Sequence, residues 1–153
     1  MFTQREITRT EHHAWWEQVR NSPEFAFFIY KRKGASLGYV AFSDIDPSAA
    51  TATWGFYAAP SAPRGTGSTM GFVTMDMAFG SLGLKKLNAD VLPRNAASIR
   101  LHESLGFASN GLFRDYVRVE GRLEDAFRFS LLSEGWFLQR QVKIQSLIKR
   151  LSK

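Results

Sequence analysis

Arg64-Gly65-Thr66-Gly67-Ser68-Thr69 and, one helix and one strand further on, Asn95-Ala96-Ala97-Ser98-Ile99-Arg100-Leu101-His102-Glu103-Ser104-Leu105-Gly106-Phe107 decide how this chain is read. The first stretch is a glycine loop opening a helix. Glycines let backbone N–H groups approach oxygen atoms closely, and a helix start carries about half a positive charge. Arg64 adds a full one, so the loop suits a diphosphate. In the second stretch Asn95 caps a helix that Gly106 ends, which brings a polar side chain toward whatever the diphosphate carries. The pairing points to coenzyme A-dependent acyl transfer.

Working outward, residues 25–31 and 37–43 are rich in aromatic and β-branched side chains and flank the turn Lys33-Gly34-Ala35, which predicts a β-hairpin. Asp46-Pro47-Ser48 turns the chain again, residues 51–58 make a third strand, and Pro60-Ser61-Ala62-Pro63 leads into the glycine loop. Met70, Val73 and Met77 repeat at helical spacing over 68–79, and Gly80-Ser81-Leu82-Gly83 stops them. Residues 87–92 are strand-like. A closing hairpin is expected around Glu120-Gly121-Arg122, with Phe113, Tyr116 and Val117 before it and 126–131 after it. At the start, Thr8 and Glu11 have capping-box spacing, and Ala14, Trp15 and Val19 form an apolar stripe that ends near Pro23.

With 153 residues, 44% of them hydrophobic, the chain can bury one ordinary core but not two. The expected organisation is a single α+β domain over residues 1–134, a mostly antiparallel sheet flanked by helices, and a C-terminal helix over 135–153. Cysteine is absent, which excludes disulfides, thiolate metal sites and a cysteine acyl-enzyme together. The first residues are charged, and no stretch approaches the roughly 20 apolar residues of a membrane span, so a cytoplasmic protein is expected.

The net charge of +6 suggests nucleic acid until it is located. Arg140, Lys143, Lys149, Arg150 and Lys153 follow Glu134 with no acidic residue among them, so the 14 acidic side chains before them face 15 basic ones. Basicity confined to the tail argues against a nucleic-acid partner. In the tail, Phe137, Ile144, Leu147, Ile148 and Leu151 lie on one side and the cations largely on the other. Such a helix either covers its own domain or lies on a membrane or partner.

On these motifs and this strand order the chain resembles the GNAT family of N-acetyltransferases. The family's loop pattern is Gln or Arg, two residues, Gly, one residue, then Gly or Ala; here Arg64 and Gly67 match, and Thr69 stands where a small residue is usual. Its second motif is matched by Asn95 and Gly106-Phe107, with His102 at the position of a Tyr. A closer likeness, running from about Phe2 to Trp136, is to the amino-sugar acetyltransferases of pseudaminic acid biosynthesis. It is carried by Thr10-Glu11-His12-His13-Ala14-Trp15-Trp16, Gly38-Tyr39-Val40-Ala41-Phe42-Ser43-Asp44-Ile45-Asp46, Trp54-Gly55-Phe56-Tyr57 and Leu84-Lys85-Lys86-Leu87-Asn88-Ala89-Asp90-Val91-Leu92.

The resemblance implies the GNAT-type acyl-CoA N-acyltransferase fold, with acetyl-CoA as co-substrate and no metal. It places coenzyme A against Phe56, Tyr57, Arg64, Gly65, Thr66, Gly67, Ser68, Thr69, Asn95 and Ser98. The acceptor it implies is the 4-amino group of a UDP-linked 4-amino-4,6-dideoxy sugar, whose product feeds a nonulosonic acid used to glycosylate flagellin. Family members begin with a strand and a helix ahead of the region matching Met1-Phe2-Thr3. The resemblance therefore implies a sheet without its first strand, an acceptor pocket short of one helix, and an uncovered edge that invites a homo-oligomer.

Amine acetylation needs a base for the ammonium, stabilisation of the thioester oxygen, and a tolerated thiolate. Asp90 lies on the strand that faces the acetyl group in this family and is the expected base; a structural charge on a central strand is the alternative. His102 is the expected acid, about a quarter protonated at pH 7 with an ordinary pKa near 6.5; the alternative is a helix-surface histidine without a role. The oxyanion donor is expected among the backbone N–H groups of 54–58. Trp15, Trp16 and Trp54 could stack on a uracil or sugar ring, or pack in the core, as at least one of the first two is expected to do. Asp44 and Asp46 read as turn formers, and His12 and His13 have no metal-ligand companions at suitable spacing. No Gly-x-Ser-x-Gly elbow is present, which removes a serine hydrolase. Besides the sugar enzyme, two readings stay open: an acetyltransferase for a protein N-terminus or another small amine, and a non-catalytic module that binds coenzyme A.

Overall fold

A computed structural model describes residues 9–10, 13–14 and 21–152. Trp15, Trp16 and most of the helix expected before Pro23 lie outside the described residues. The strands are β1 (Ala26–Arg32), β2 (Ala35–Asp46), β3 (Thr51–Ala58), β4 (Lys86–Val91), β5 (Ala108–Val119) and β6 (Arg122–Leu132). Among the described residues three whole helices accompany them: α1 (Thr66–Asp76), which runs into a π-helical turn at Met77–Ser81, α2 (Ala96–Leu105) and α3 (Ser133–Leu151). The sheet order is β1-β2-β3-β4-β6-β5. Both expected hairpins are present, and the glycine loop stands between β3 and α1.

Every neighbouring pair is antiparallel except β3 with β4. That pair is parallel because α1 carries the chain back to the starting end of the sheet, as a parallel connection requires. It is also short: only Thr51, Ala52 and Thr53 are matched, with Lys86, Leu87 and Asn88. Beyond Thr53, β3 stays bonded to β2 as far as Ala58, and β4 stays bonded to β6 as far as Val91. The two central strands therefore part into a wedge whose facing backbone edges have no strand partner.

Alternation along the strands sends Val40, Phe42, Ala52, Trp54, Leu87, Ala89, Val91, Phe129 and Leu131 to one face, where they join the core. Met70 and Met75 of α1, Leu105 of α2 and Trp136 of α3 cover that face and are likewise buried. Lys86, Asn88 and Asp90 alternate to the other face and are only partly covered. Asn95 caps α2 by accepting a hydrogen bond from the Ser98 N–H at 3.1 Å, and Gly106 closes it in a left-handed conformation.

The boundary expected at 134 falls in the first turn of α3, and the helix is part of the domain. Trp136 is fully buried. Its indole N–H donates to the Asp76 carboxylate at 2.9 Å, and Arg140 grips the same carboxylate through Nε and Nη2, both at 2.7 Å. The end of α1 is thus stapled to α3 by one carboxylate. Of the expected apolar stripe, Ile144 and Leu147 pack on the core. Phe137, Ile148 and Leu151 stay at least half exposed, and Arg140 turns inward instead of joining the solvated cations. No described helix is long and apolar enough to cross a membrane.

Trp136→Ala should cost about 3–5 kcal/mol by leaving a cavity under α3, a fall of about 10 °C or more in Tm. Hydrogen bonds from Arg140, the largest influence, hold Asp76 below the ordinary carboxylate pKa, with Trp136 adding to them. The staple's contribution is accordingly full above pH about 4 and lost as pH falls through the lowered value. Asp76→Asn should lower Tm at neutral pH, with the gap from wild type closing in acid, as thermal melts across pH would show.

Candidate active site

The wedge between β3 and β4 opens into a cavity of about 720 Å³. From β3 it takes Trp54, Gly55 and Phe56, and from β4 Ala89, Asp90 and Val91. The glycine loop contributes Gly65, Gly67 and Ser68, while α2 contributes Asn95, Ser98 and His102. Two sequence motifs separated by a helix and a strand therefore meet at one hollow, through the missing β3–β4 pairing.

Gly65 turns the loop at φ 90°, a left-handed conformation that glycine takes without strain. The Thr66 N–H and hydroxyl both bind the Pro63 carbonyl, at 3.1 and 2.5 Å, and the Thr69 N–H and hydroxyl both bind the Gly65 carbonyl at 3.2 Å. Both threonines are thus closed on their own backbone, and neither lines the cavity. Gly67 and Ser68 do line it, and their N–H groups have no acceptor among the described residues. The anion cradle is narrower than the motif suggested. Arg64 is exposed and does not line the cavity, and Tyr57 instead stacks on Tyr39 at 5.8 Å.

Asp90 stands directly across from Arg128 of β6. A single guanidinium nitrogen, Nη1, reaches both carboxylate oxygens at 3.0 Å and also donates to the Tyr116 hydroxyl at 3.1 Å. One shared donor stabilises a carboxylate less than a two-nitrogen fork does. Burial raises the Asp90 pKa and outweighs the attraction of Arg128, while the charge of Asp44 raises it further. A partly buried carboxylate of raised basicity, fixed by a cation and open to a cavity, is suited to taking a proton.

His102 corrects an expectation. Its side chain is 3% exposed, among the rings of Trp54, Phe107 and Phe129 at centroid distances of 5.4, 5.0 and 5.7 Å. Nδ1 lies 2.7 Å from the Ser98 carbonyl. A carbonyl only accepts, so Nδ1 carries the proton, and in the neutral ring Nε2 keeps a lone pair. Burial lowers the pKa, and Nε2 has no hydrogen-bond partner among the described residues. The imidazolium acid expected from the sequence is replaced by a neutral imidazole, and the surface histidine is excluded as well. Trp54 is also a core ring: it is 4% exposed, stacks on Phe56 at 4.8 Å, and its indole N–H is buried without an acceptor among the described residues. It walls the cavity and offers no open face for a base or sugar to stack on.

The sequence reading missed Arg128, the partner of Asp90, and Arg94, which lines the cavity and pairs with Glu124 of β6. Both pairings reach across the chain to or from β6, the first through β4–β6 register and the second from the turn after β4, and no local motif encodes either. Among the described residues no three His, Cys, Asp or Glu side chains are grouped to hold a metal ion.

The acetyltransferase (GNAT) domain model matches residues 1–108, well over half of the chain. An SPbeta prophage-derived uncharacterized N-acetyltransferase of Bacillus subtilis, YokL, is 32% identical over 127 residues, 81% of this chain and 71% of that protein. An uncharacterized N-acetyltransferase of Bacillus licheniformis, p20, is 45% identical over 62 residues, 40% of this chain and 35% of that protein. The chain thus spans about a third of one curated relative and under three quarters of the other. Spermidine N-acetyltransferase from Vibrio cholerae, solved with CoA and spermine, superposes with a TM-score of 0.76 at 20% identity, over 86% of this chain and 79% of that one. The chain belongs to the GNAT acetyltransferase family, and its mixed α+β architecture is the fold of that family.

Arg128→Gln should push the Asp90 pKa further up, because removing a nearby cation favours the neutral carboxyl. A carbon-13 titration of the Asp90 carboxyl group would show the midpoint moving to higher pH. Nitrogen-15 spectra should likewise find His102 with its proton on Nδ1, titrating below the ordinary histidine value of about 6.5.

Proposed function

We propose that this chain transfers the acetyl group of acetyl-CoA to a primary amine, with the amino group of a UDP-linked 4-amino-4,6-dideoxy sugar as acceptor. The observation that carries the reading is the β3–β4 wedge, with the unengaged Gly67 and Ser68 N–H groups along one wall and the Asp90 carboxylate on another. The diphosphate of coenzyme A rests on those N–H groups. Its thioester arm enters the wedge, where the backbone edges of 54–58 and 89–91 supply hydrogen bonds in place of the absent strand pairing.

Asp90 takes one proton from the acceptor ammonium. The amine nitrogen then attacks the thioester carbon, and an N–H on the β3 edge holds the oxygen as it becomes negative. The C–N bond forms, the C–S bond breaks, and the nitrogen loses its second proton to solvent. A thiol of pKa about 8.5 leaves as thiolate without obligatory acid help, so a neutral His102 is no obstacle. Nε2 of His102 stays an acceptor beside the path and orients a donor on substrate or water.

The charge of the cavity bears on the acceptor. Among the described residues Asp90 is its one acidic wall residue, set against Arg128, and Arg94, which pairs with Glu124, lines the same hollow. A polyamine such as the spermine bound by the Vibrio protein would gain little there, whereas a small amine carrying a phosphate suits the balance. The segments resembling the amino-sugar enzymes support the same choice.

Thiol release from acetyl-CoA, read with a thiol-reactive dye, tests this without background from a protein free of cysteine. Release should depend on the UDP-amino sugar, exceed that with spermidine, and fall about a hundredfold or more in Asp90→Asn. Release with spermidine alone would overturn the sugar assignment. Coenzyme A binding without release for any amine would favour the non-catalytic module.

A further inference from the structure

A second hollow, of about 260 Å³, lies where α3 crosses the ends of the other two helices. Ser68 and Phe72 of α1 and Ser104 of α2 wall one side, and Lys143, Ser146 and Arg150 of α3 wall the other. Ser68 belongs to both hollows, so the second begins where the N–H cradle of the first ends.

Lys143 and Arg150 stand seven residues apart, two turns along one face of α3. Neither has a carboxylate partner among the described residues, whose ion pairs use Arg94, Arg128 and Arg140. Lys143 donates to the Ser104 carbonyl, which leaves two of its three N–H groups unassigned. Burial and then the charge of Arg150 disfavour its charged form. Two cations that repel each other along one wall of a hollow, next to a hydroxyl at Ser146 and with no carboxylate lining it among the described residues, are arranged for an anion from outside.

We propose that Lys143 and Arg150 seat the 3′-phosphate on the adenosine of coenzyme A. The proposal rests on the glycine-loop reading above: coenzyme A carries a diphosphate and a phosphate monoester on the same nucleotide, and the loop cradle and this cation pair adjoin through Ser68. The tail helix thereby gains a role that its sequence did not reveal, as the element that distinguishes coenzyme A from its dephosphorylated form.

Calorimetric titration of the full chain with coenzyme A and with 3′-dephospho-coenzyme A tests it. Wild type should bind coenzyme A about tenfold or more tightly than the dephospho form, a difference of about 1.4 kcal/mol. In the Lys143→Gln/Arg150→Gln double variant the preference should vanish through weaker coenzyme A binding, with dephospho-coenzyme A bound as in wild type. Equal wild-type affinity for the two ligands would overturn the proposal while leaving the glycine loop as the diphosphate site. Failure of wild type to bind either ligand would remove the loop reading and this one with it. The wild-type comparison decides the matter even if the double variant folds poorly.

Discussion

The early end of the β3–β4 pairing is the constraint on which the rest depends. Buried backbone N–H and C=O groups are nearly always paired, so strands that part inside a sheet create donors and acceptors that need another partner. Here β3 is held on its far side by β2 and β4 by β6, so neither can close the gap without breaking an established ladder. The side chains of Trp54, Phe56 and His102 occupy the helix side of the opening, which keeps it apart. The wedge is thus a standing feature of the fold, and a ligand with an amide-bearing arm can complete it.

The sheet also separates the two titratable groups. Asp90 belongs to the same alternation as Lys86 and Asn88, while the ring of His102 packs with Trp54 and Phe129 on the opposite, helix-covered face. Their only meeting place is the wedge. Burial acts on both, with opposite consequences: it raises the basicity of the carboxylate and disfavours a second proton on the imidazole, which keeps the one on Nδ1. An acid–base pair at neutral pH would require the reverse for His102. The mechanism proposed above, with proton removal by Asp90 and departure of a thiolate that needs no acid, is consistent with that division.

What the sequence disclosed follows the range of the interactions involved. The third strand, the Asn95 cap, the Gly106 stop and the turn at Glu120-Gly121 are local, set within a few residues by propensity and backbone conformation, and they were legible. The Asp90–Arg128 pair joins residues 38 positions apart and depends on β4–β6 register. The burial of His102 depends on rings from β3, β6 and the segment after α2 closing around it. Thr66 and Thr69 lie within the glycine loop, yet their hydroxyls return to Pro63 and Gly65, a choice between ligand and backbone that residue type alone does not make.

The basic tail shows the same limit in its charges. Along the sequence the tail's cations form one undivided group. In three dimensions Arg140 turns to Asp76 and, with Trp136, fixes α3 to α1, while Lys143 and Arg150 border a hollow lined by no carboxylate among the described residues. The first arrangement makes the second possible: a helix anchored at Trp136 and Arg140 holds the residues one and three turns further on at a set distance from α1. A cation that stabilises the fold and cations that await an anion can thus sit on one helix. What separates them is the presence of a carboxylate partner within reach, which net charge does not record.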